Sequence, residues 1–228
     1  MKNIWKKILI AWLAIFCLGA CVLFYSRQPG ETIATVLIDP GHGGYDTGAI
    51  GADGKTYEKD LTLDLAFKVG KDIKKINPAV RVEYTRTDDE VSWPSDEKQD
   101  LQTRVRMAEN MKADYFICIH MDSSENPNAA GYSFHLRSSD SSSINMAEQM
   151  EANLEEARWS HSRGLIYTDQ RPLYVVDHLE IPSILIETGF ISNSQELRQL
   201  KKWRNQKKIA RAIAQAVCSQ IEQEKIPD

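Results

Sequence analysis

Apolar residues in this chain fall into short runs, separated by longer stretches where they recur every three or four positions. Runs at 33–39 (IATVLID), 79–86 (AVRVEYTR), 114–120 (DYFICIH), 131–137 (GYSFHLR), 164–168 (GLIYT) and 183–188 (SILIET) have the length and side-chain types of strands. Helical periodicity covers 60–76, 97–112, 143–158 and 204–224. In the last of these, Ile209, Ala212, Ile213, Ala216, Val217 and Ile221 form one stripe. Strands separated by helices predict an α/β fold: a single domain with a mostly parallel (mixed) central sheet of about six strands flanked by helices. SILIE is apolar almost throughout, as a central strand covered on both faces must be. RSSDSSS (137–143) is a polar loop leading into a helix start, and no internal repeat is visible.

The N-terminus breaks the pattern. Three lysines precede 18 uncharged, mostly apolar residues, Ile8–Tyr25. As a helix rising ~1.5 Å per residue, that run would be ~27 Å long, close to the hydrocarbon thickness of a bilayer. It has no polar face and exceeds the ~7–15 apolar residues of a typical cleaved signal peptide. The expected organisation is a signal anchor or signal peptide over 1–28, a linker at 29–32 within the polar stretch SRQPGET, and a catalytic domain over 33–226. Lys2, Lys6 and Lys7 would stay in the cytoplasm, placing the domain outside it, at the periplasm or cell surface. LGAC also resembles a lipoprotein cleavage box, which would lipidate Cys21, although the apolar continuation VLFY fits that alternative poorly.

Charge narrows the partners. The whole chain is −4, with 28 basic and 32 acidic residues; the first 28 residues hold four of the basic ones and no acid, leaving 24 against 32, or −8. Such a domain lacks the basic balance that nucleic-acid binding needs. Of four cysteines, Cys17 and Cys21 fall in the membrane run. Cys118 and Cys218 lie in apolar segments as free buried thiols, with a disulfide between them as the alternative outside the cytoplasm.

Candidate chemistry sits at strand ends. His42 follows TVLIDPG, His120 ends YFICIH and Glu187 ends SILIE. In open α/β sheets, sites form beyond the carboxyl ends of strands, so these residues can share one crevice. Two imidazoles and carboxylates arriving together suit a catalytic zinc, which takes three protein ligands and leaves one position for water. A further carboxylate would move that water's proton. Half of the 12 glycines lie between Gly41 and Gly54, giving the histidine a loop free of obstructing side chains. A phosphate cradle would need a following Lys-Ser or Lys-Thr, which is absent. Residue spacing alone leaves structural histidines as an equal alternative.

Six blocks in order, VLIDPGHGGYDTGAIG, YEKDLTLDLA, YTRTDD, LQTRVRMAENMKADYFICIH, RGL and PSILIETGFISN, together resemble the zinc-dependent N-acetylmuramoyl-L-alanine amidases of bacterial cell walls. The resemblance runs from about Thr35 to the final helix. It implies zinc ligands at His42, Glu58 and His120, a catalytic glutamate at Glu187, and peptidoglycan as substrate, cut at the amide joining N-acetylmuramic acid to L-alanine. CIHMDS departs from the family's SIHAN-like stretch: Met121 would narrow the groove and Asp122 would alter substrate contacts. Some members carry an inserted helix that blocks the zinc; the short stretch between His120 and Glu187 implies no such block.

Other residues are set aside. His135, His161 and His178 are expected to be structural or solvated. Asp39 or Asp46 could hold the His42 ring, or Asp39 could bond the loop's own amides. Arg86 and Arg104 would pair with nearby acids, and KKWRNQKK (201–208) would be a solvated helix start. The rival functions are another zinc peptidase acting on stem peptides and a catalytically silent wall-binding regulator.

Overall fold

The computed structural model describes residues 31–225 apart from Ser92 and Pro94. The chain divides into two units, Met1–Thr32 and Ile33–Asp228. The 8–25 run, with Cys17 and Cys21, lies outside the described residues; among those described, no helix is long and apolar enough to cross a membrane.

Six strands form one sheet: β1 (Ala34–Pro40), β2 (Val80–Tyr84), β3 (Tyr115–Asp122), β4 (Tyr132–Leu136), β5 (Ser162–Tyr167) and β6 (Ser183–Phe190). Their order is β2-β1-β3-β6-β4-β5. Neighbours are parallel except β4 against β6, so the sheet is mixed as expected. The helices among the described residues are α1 (Glu58–Ile76), α2 (Glu97–Asn110), α3 (Ser141–Glu156), α4 (Tyr174–Asp177), α5 (Ser194–Leu200) and α6 (Trp203–Lys225). The short α4 and α5 are additions to the sequence reading. α5 is set by Asn193, whose side chain accepts hydrogen bonds from the Gln195 and Glu196 amides.

Alternation along the central strands divides the core in two. Val36, Ile38, Ile117, Ile119, Ile184 and Ile186 face α1, α3 and α6. Leu37, Phe116, Cys118 and Leu185 face α2 and α4. Three long helices thus cover one face, while one 14-residue helix and a single turn cover the other. The thinly covered face is the one that carries polar residues at its carboxyl end. The chain leaves β1 through α1 to β2 on one side and reaches β3 on the other, a topological switch at which open α/β sheets form crevices.

Cys118 and Cys218 are both free and buried, in the cores on opposite faces, so the disulfide alternative is not realised. The 201–208 run is tied down more than a solvated start would be: Lys201 pairs with Asp53 and Lys207 with Asp72.

Candidate metal centre

β1 ends at Pro40, and the next residues turn sharply over the end of the sheet. Gly41 N–H still donates to Ile119 O at 2.9 Å, while Gly43 and Asp46 exchange backbone hydrogen bonds that close the turn. His42 sits inside this turn in a left-handed conformation, φ 63°, which few residues other than glycine adopt.

Two glycines make room for the neighbouring side chains. A Cβ on Gly41 would lie 2.3 Å from His120 Nε2, so the imidazole of β3 packs flat onto bare backbone. A Cβ on Gly48, at φ +63°, would lie 2.6 Å from the His42 ring and 2.7 Å from Glu58 Oε2. The glycine-rich loop is therefore a steric requirement of three particular side chains.

Glu58 opens α1, one turn before the main apolar stripe, where the helix dipole favours a carboxylate. Both of its oxygens are held by backbone amides: Met121 N–H donates to Oε1 at 2.9 Å and Ala49 N–H to Oε2 at 3.0 Å. His42 Nε2 lies 3.0 Å from Oε2, and His120 Nδ1 lies 3.0 Å from Oε1. The two rings meet edge to face with centroids 4.7 Å apart. One donor atom from each of the three residues falls within 4.8 Å of the others. A tetrahedral zinc with bonds of ~2.0–2.2 Å holds its ligand atoms ~3.3 Å apart, so the set has the size and chemistry for such an ion.

Tautomer assignment sharpens the fit. Asp46 Oδ2 lies 2.7 Å from His42 Nδ1. A carboxylate only accepts, so Nδ1 carries the proton and Nε2 points its lone pair at Glu58. Two lone pairs facing each other at 3.0 Å call for a proton or a cation between them. The same imbalance moves the acidities. Burial alone would lower the His42 pKa, but the Glu58 and Asp46 carboxylates override it and raise it. Burial would raise the Glu58 pKa, yet the two imidazoles hold it low.

Glu187, on β6, is paired in register with His120 on β3. Its Oε2 is enclosed and has no hydrogen-bond partner. Burial, then the Glu58 and Asp122 charges, push this carboxyl well above the ordinary range. Beside the centre a cleft of about 410 Å³ runs under α2 and α4, with His42, His120, Asp46, Leu101, Leu173 and Leu185 among its walls. Both imidazoles keep about a fifth of their side-chain surface open, 21% and 20%. Between β3 and β6, α3 packs in the opposite core and α4 is one turn long.

Asp46, not Asp39, holds the His42 ring. Asp39 is buried and accepts instead from Arg104, Thr85 and the Cys118 thiol, not from loop amides. Met121 does not narrow the groove: its side chain belongs to the α1-side core, because the residue after His120 on a strand faces the other way. Asp122 is half-buried near the site, its pKa raised chiefly by burial, with a smaller push from Glu58, against the lowering pull of the Ser123 amide hydrogen bond and of Arg163 and Arg171. His135, His161 and His178 lie outside the cluster. His135 meets Ser133 Oγ, and burial, Arg171 and His120 push its pKa down to about 4. His161 borders Gly131, and His178 stacks on Tyr174.

Fold and site together define an open α/β protein with a His–Glu–His cluster at the carboxyl ends of its central strands. The family model described as N-acetylmuramoyl-L-alanine amidase matches residues 36–219, and the chain belongs to that family, the one its motif blocks resemble. It is 31% identical over 227 residues to the uncharacterized protein YqiI of Bacillus subtilis (strain 168), covering 98% of this chain and 100% of YqiI. It is 32% identical over 181 residues to the N-acetylmuramoyl-L-alanine amidase LytC of the same strain, covering 78% of this chain and 34% of LytC. The chain thus spans about a third of LytC's length. The catalytic domain of CwlV, an N-acetylmuramoyl-L-alanine amidase from Bacillus (Paenibacillus) polymyxa var. colistinus, superposes with a TM-score of 0.73 at 33% identity, covering 83% of this chain and 98% of that one.

Proposed function

We propose that this chain is a zinc-dependent hydrolase of peptidoglycan that cleaves the amide between N-acetylmuramic acid and the L-alanine of the stem peptide. The observation that carries the reading is the convergence of His42, Glu58 and His120 on one point, with a second acid, Glu187, in register beside them. His42 Nε2, Glu58 and His120 Nδ1 would hold the ion. When bound, it would supply a Lewis acid that polarises the scissile carbonyl and acidifies a water.

The chain's own groups do the rest. Asp46 keeps His42 in the tautomer that offers Nε2. Glu187, in register beside His120, accepts the proton of the attacking water and returns it to the departing L-alanine nitrogen. A carboxyl whose pKa already lies high is suited to carrying that proton between the two sites. The cleft offers room for the groups that flank the scissile bond.

The sequence supports the rest of the proposal: residues 8–25 tether the enzyme to the cytoplasmic membrane, and the 33–226 domain works outside the cytoplasm, within the cell envelope. Digestion of purified peptidoglycan in a gel, with and without a chelator, tests the activity. Clearing only in the metal-replete lanes is expected. No clearing in either would favour a silent wall-binding regulator.

A further inference from the structure

The loop that carries His42 has an unusual support. At the last residue of β1 and just past it, the carbonyls of Pro40, Gly41 and His42 are all held by two buried arginines. Arg104, on α2, donates to Pro40 O at 3.1 Å and to His42 O at 2.9 Å. Arg86, just past β2, donates from Nε to Pro40 O at 3.1 Å and from Nη2 to Gly41 O at 3.0 Å.

The two arginines differ in what balances them. Arg104 also contacts the carboxylates of Asp39 and Asp100, each at 2.6 Å, and is an ordinary buried ion-pair residue. Arg86, only 4% exposed, makes no such contact among the described residues. Its remaining hydrogen bonds go to Asp88 O at 3.1 Å, Lys59 O at 2.8 Å and Thr62 Oγ1 at 3.2 Å. Burying a charge without a contacting counter-charge is unfavourable, and packing alone does not call for one there.

The identity of the acceptors supplies a reason. Pro40 and Gly41 lead directly into His42, while Lys59 directly follows Glu58 in the first turn of α1. One planar guanidinium therefore spans the two backbone segments that carry two of the three clustered side chains. Its five donors in a fixed fork can hold carbonyls on both sides at set spacing, which a lysine's single ammonium cannot. Thr62 adds a second tie between the same segments, donating to Gly41 O at 2.9 Å.

We propose that Arg86 is a positioning residue for the metal centre: by bridging the His42 loop to the start of α1, it sets the spacing of His42 from Glu58, and with it the affinity for the ion. The inference rests on the metal reading above. It assigns Arg86 no contact with ion or substrate.

The test measures zinc affinity of the full chain by competition with a chromophoric chelator, at a temperature where circular dichroism shows each metal-free variant to be folded. Arg86→Lys keeps the charge and loses the fork; its zinc Kd is expected to rise tenfold or more. Thr62→Val, a milder change to the same bridge, is expected to raise it severalfold. A purely structural Arg86 would lower the melting temperature and leave the Kd of the folded protein within twofold of wild type. That result, in Arg86→Lys or, if that variant does not fold, in Thr62→Val, overturns the inference and leaves the metal reading standing. A wild-type chain that takes up no zinc overturns the metal reading and this inference with it.

Discussion

The backbone of Gly41 lies directly under the imidazole of His120, close enough that a single added methyl would sit 2.3 Å from Nε2. One position after β1 thus governs a side chain 79 residues further along the chain. Gly41→Ala should push His120 out of the cluster. Zinc affinity is expected to fall by more than ~100-fold, beyond the ~10–100-fold range of changes to supporting groups. Stability should fall by only about 1–3 kcal/mol, the usual effect of overpacking. Metal stoichiometry and urea unfolding on the same sample check both.

Asp46→Ala removes the acceptor that fixes the His42 ring at 2.7 Å. The ring would then sample both tautomers and rotate. Zinc affinity should drop ~10–100-fold with the fold unchanged. Chelator competition and far-ultraviolet circular dichroism measure this directly.

Glu187→Ala separates proton transfer from metal binding. Hydrolysis should fall by at least ~10²–10⁴-fold, the range for a lost general acid–base group, while bound zinc stays at the wild-type level. A variant that also loses its metal would make Glu187 a ligand.

The strands and long helices were legible in the sequence because β1 and β6 are nearly unbroken apolar runs and α6 carries a clean stripe. The short α4 and α5 were not, since one or two turns give periodicity nothing to register. Strand ends pointed to His42, His120 and Glu187. Glu58 came from motif resemblance alone: it lies 16 residues from His42, across a loop whose path no local pattern encodes. The inward side of Met121 could have been read from the strand's period of two, because His120 and its neighbour must face opposite ways. The choice of Asp46 over Asp39, and the span of Arg86 from loop to helix, depend on how distant segments meet and left no signal in spacing.

Acid sensitivity should trace in part to Asp39. Burial would raise its pKa, but the Arg104 charge, with the Thr85 and Cys118 hydrogen bonds, holds it below 3.8. A depressed folded pKa adds stability that is complete above the unfolded value and is lost as pH falls through the folded one. Asp39→Asn should therefore cost about 3–5 kcal/mol at pH 7, the range for breaking a buried pair. The gap to wild type should narrow progressively below pH ~4. Urea unfolding of both proteins from pH ~7 to below ~4 would show the opposite sign, a gap that widens as pH falls towards ~4, if Asp39 were protonated in the folded state.

The most direct measurement is mass spectrometry of fragments released from purified peptidoglycan, with bound metal quantified on the same protein. The expected result is intact sugar strands bearing a free lactyl carboxylate, stem peptides starting with a free L-alanine amine, one zinc per chain, and activity that disappears on chelation and returns with added zinc. Cuts confined to the interior of the stem peptide, or digestion undiminished after the metal is stripped, would contradict it.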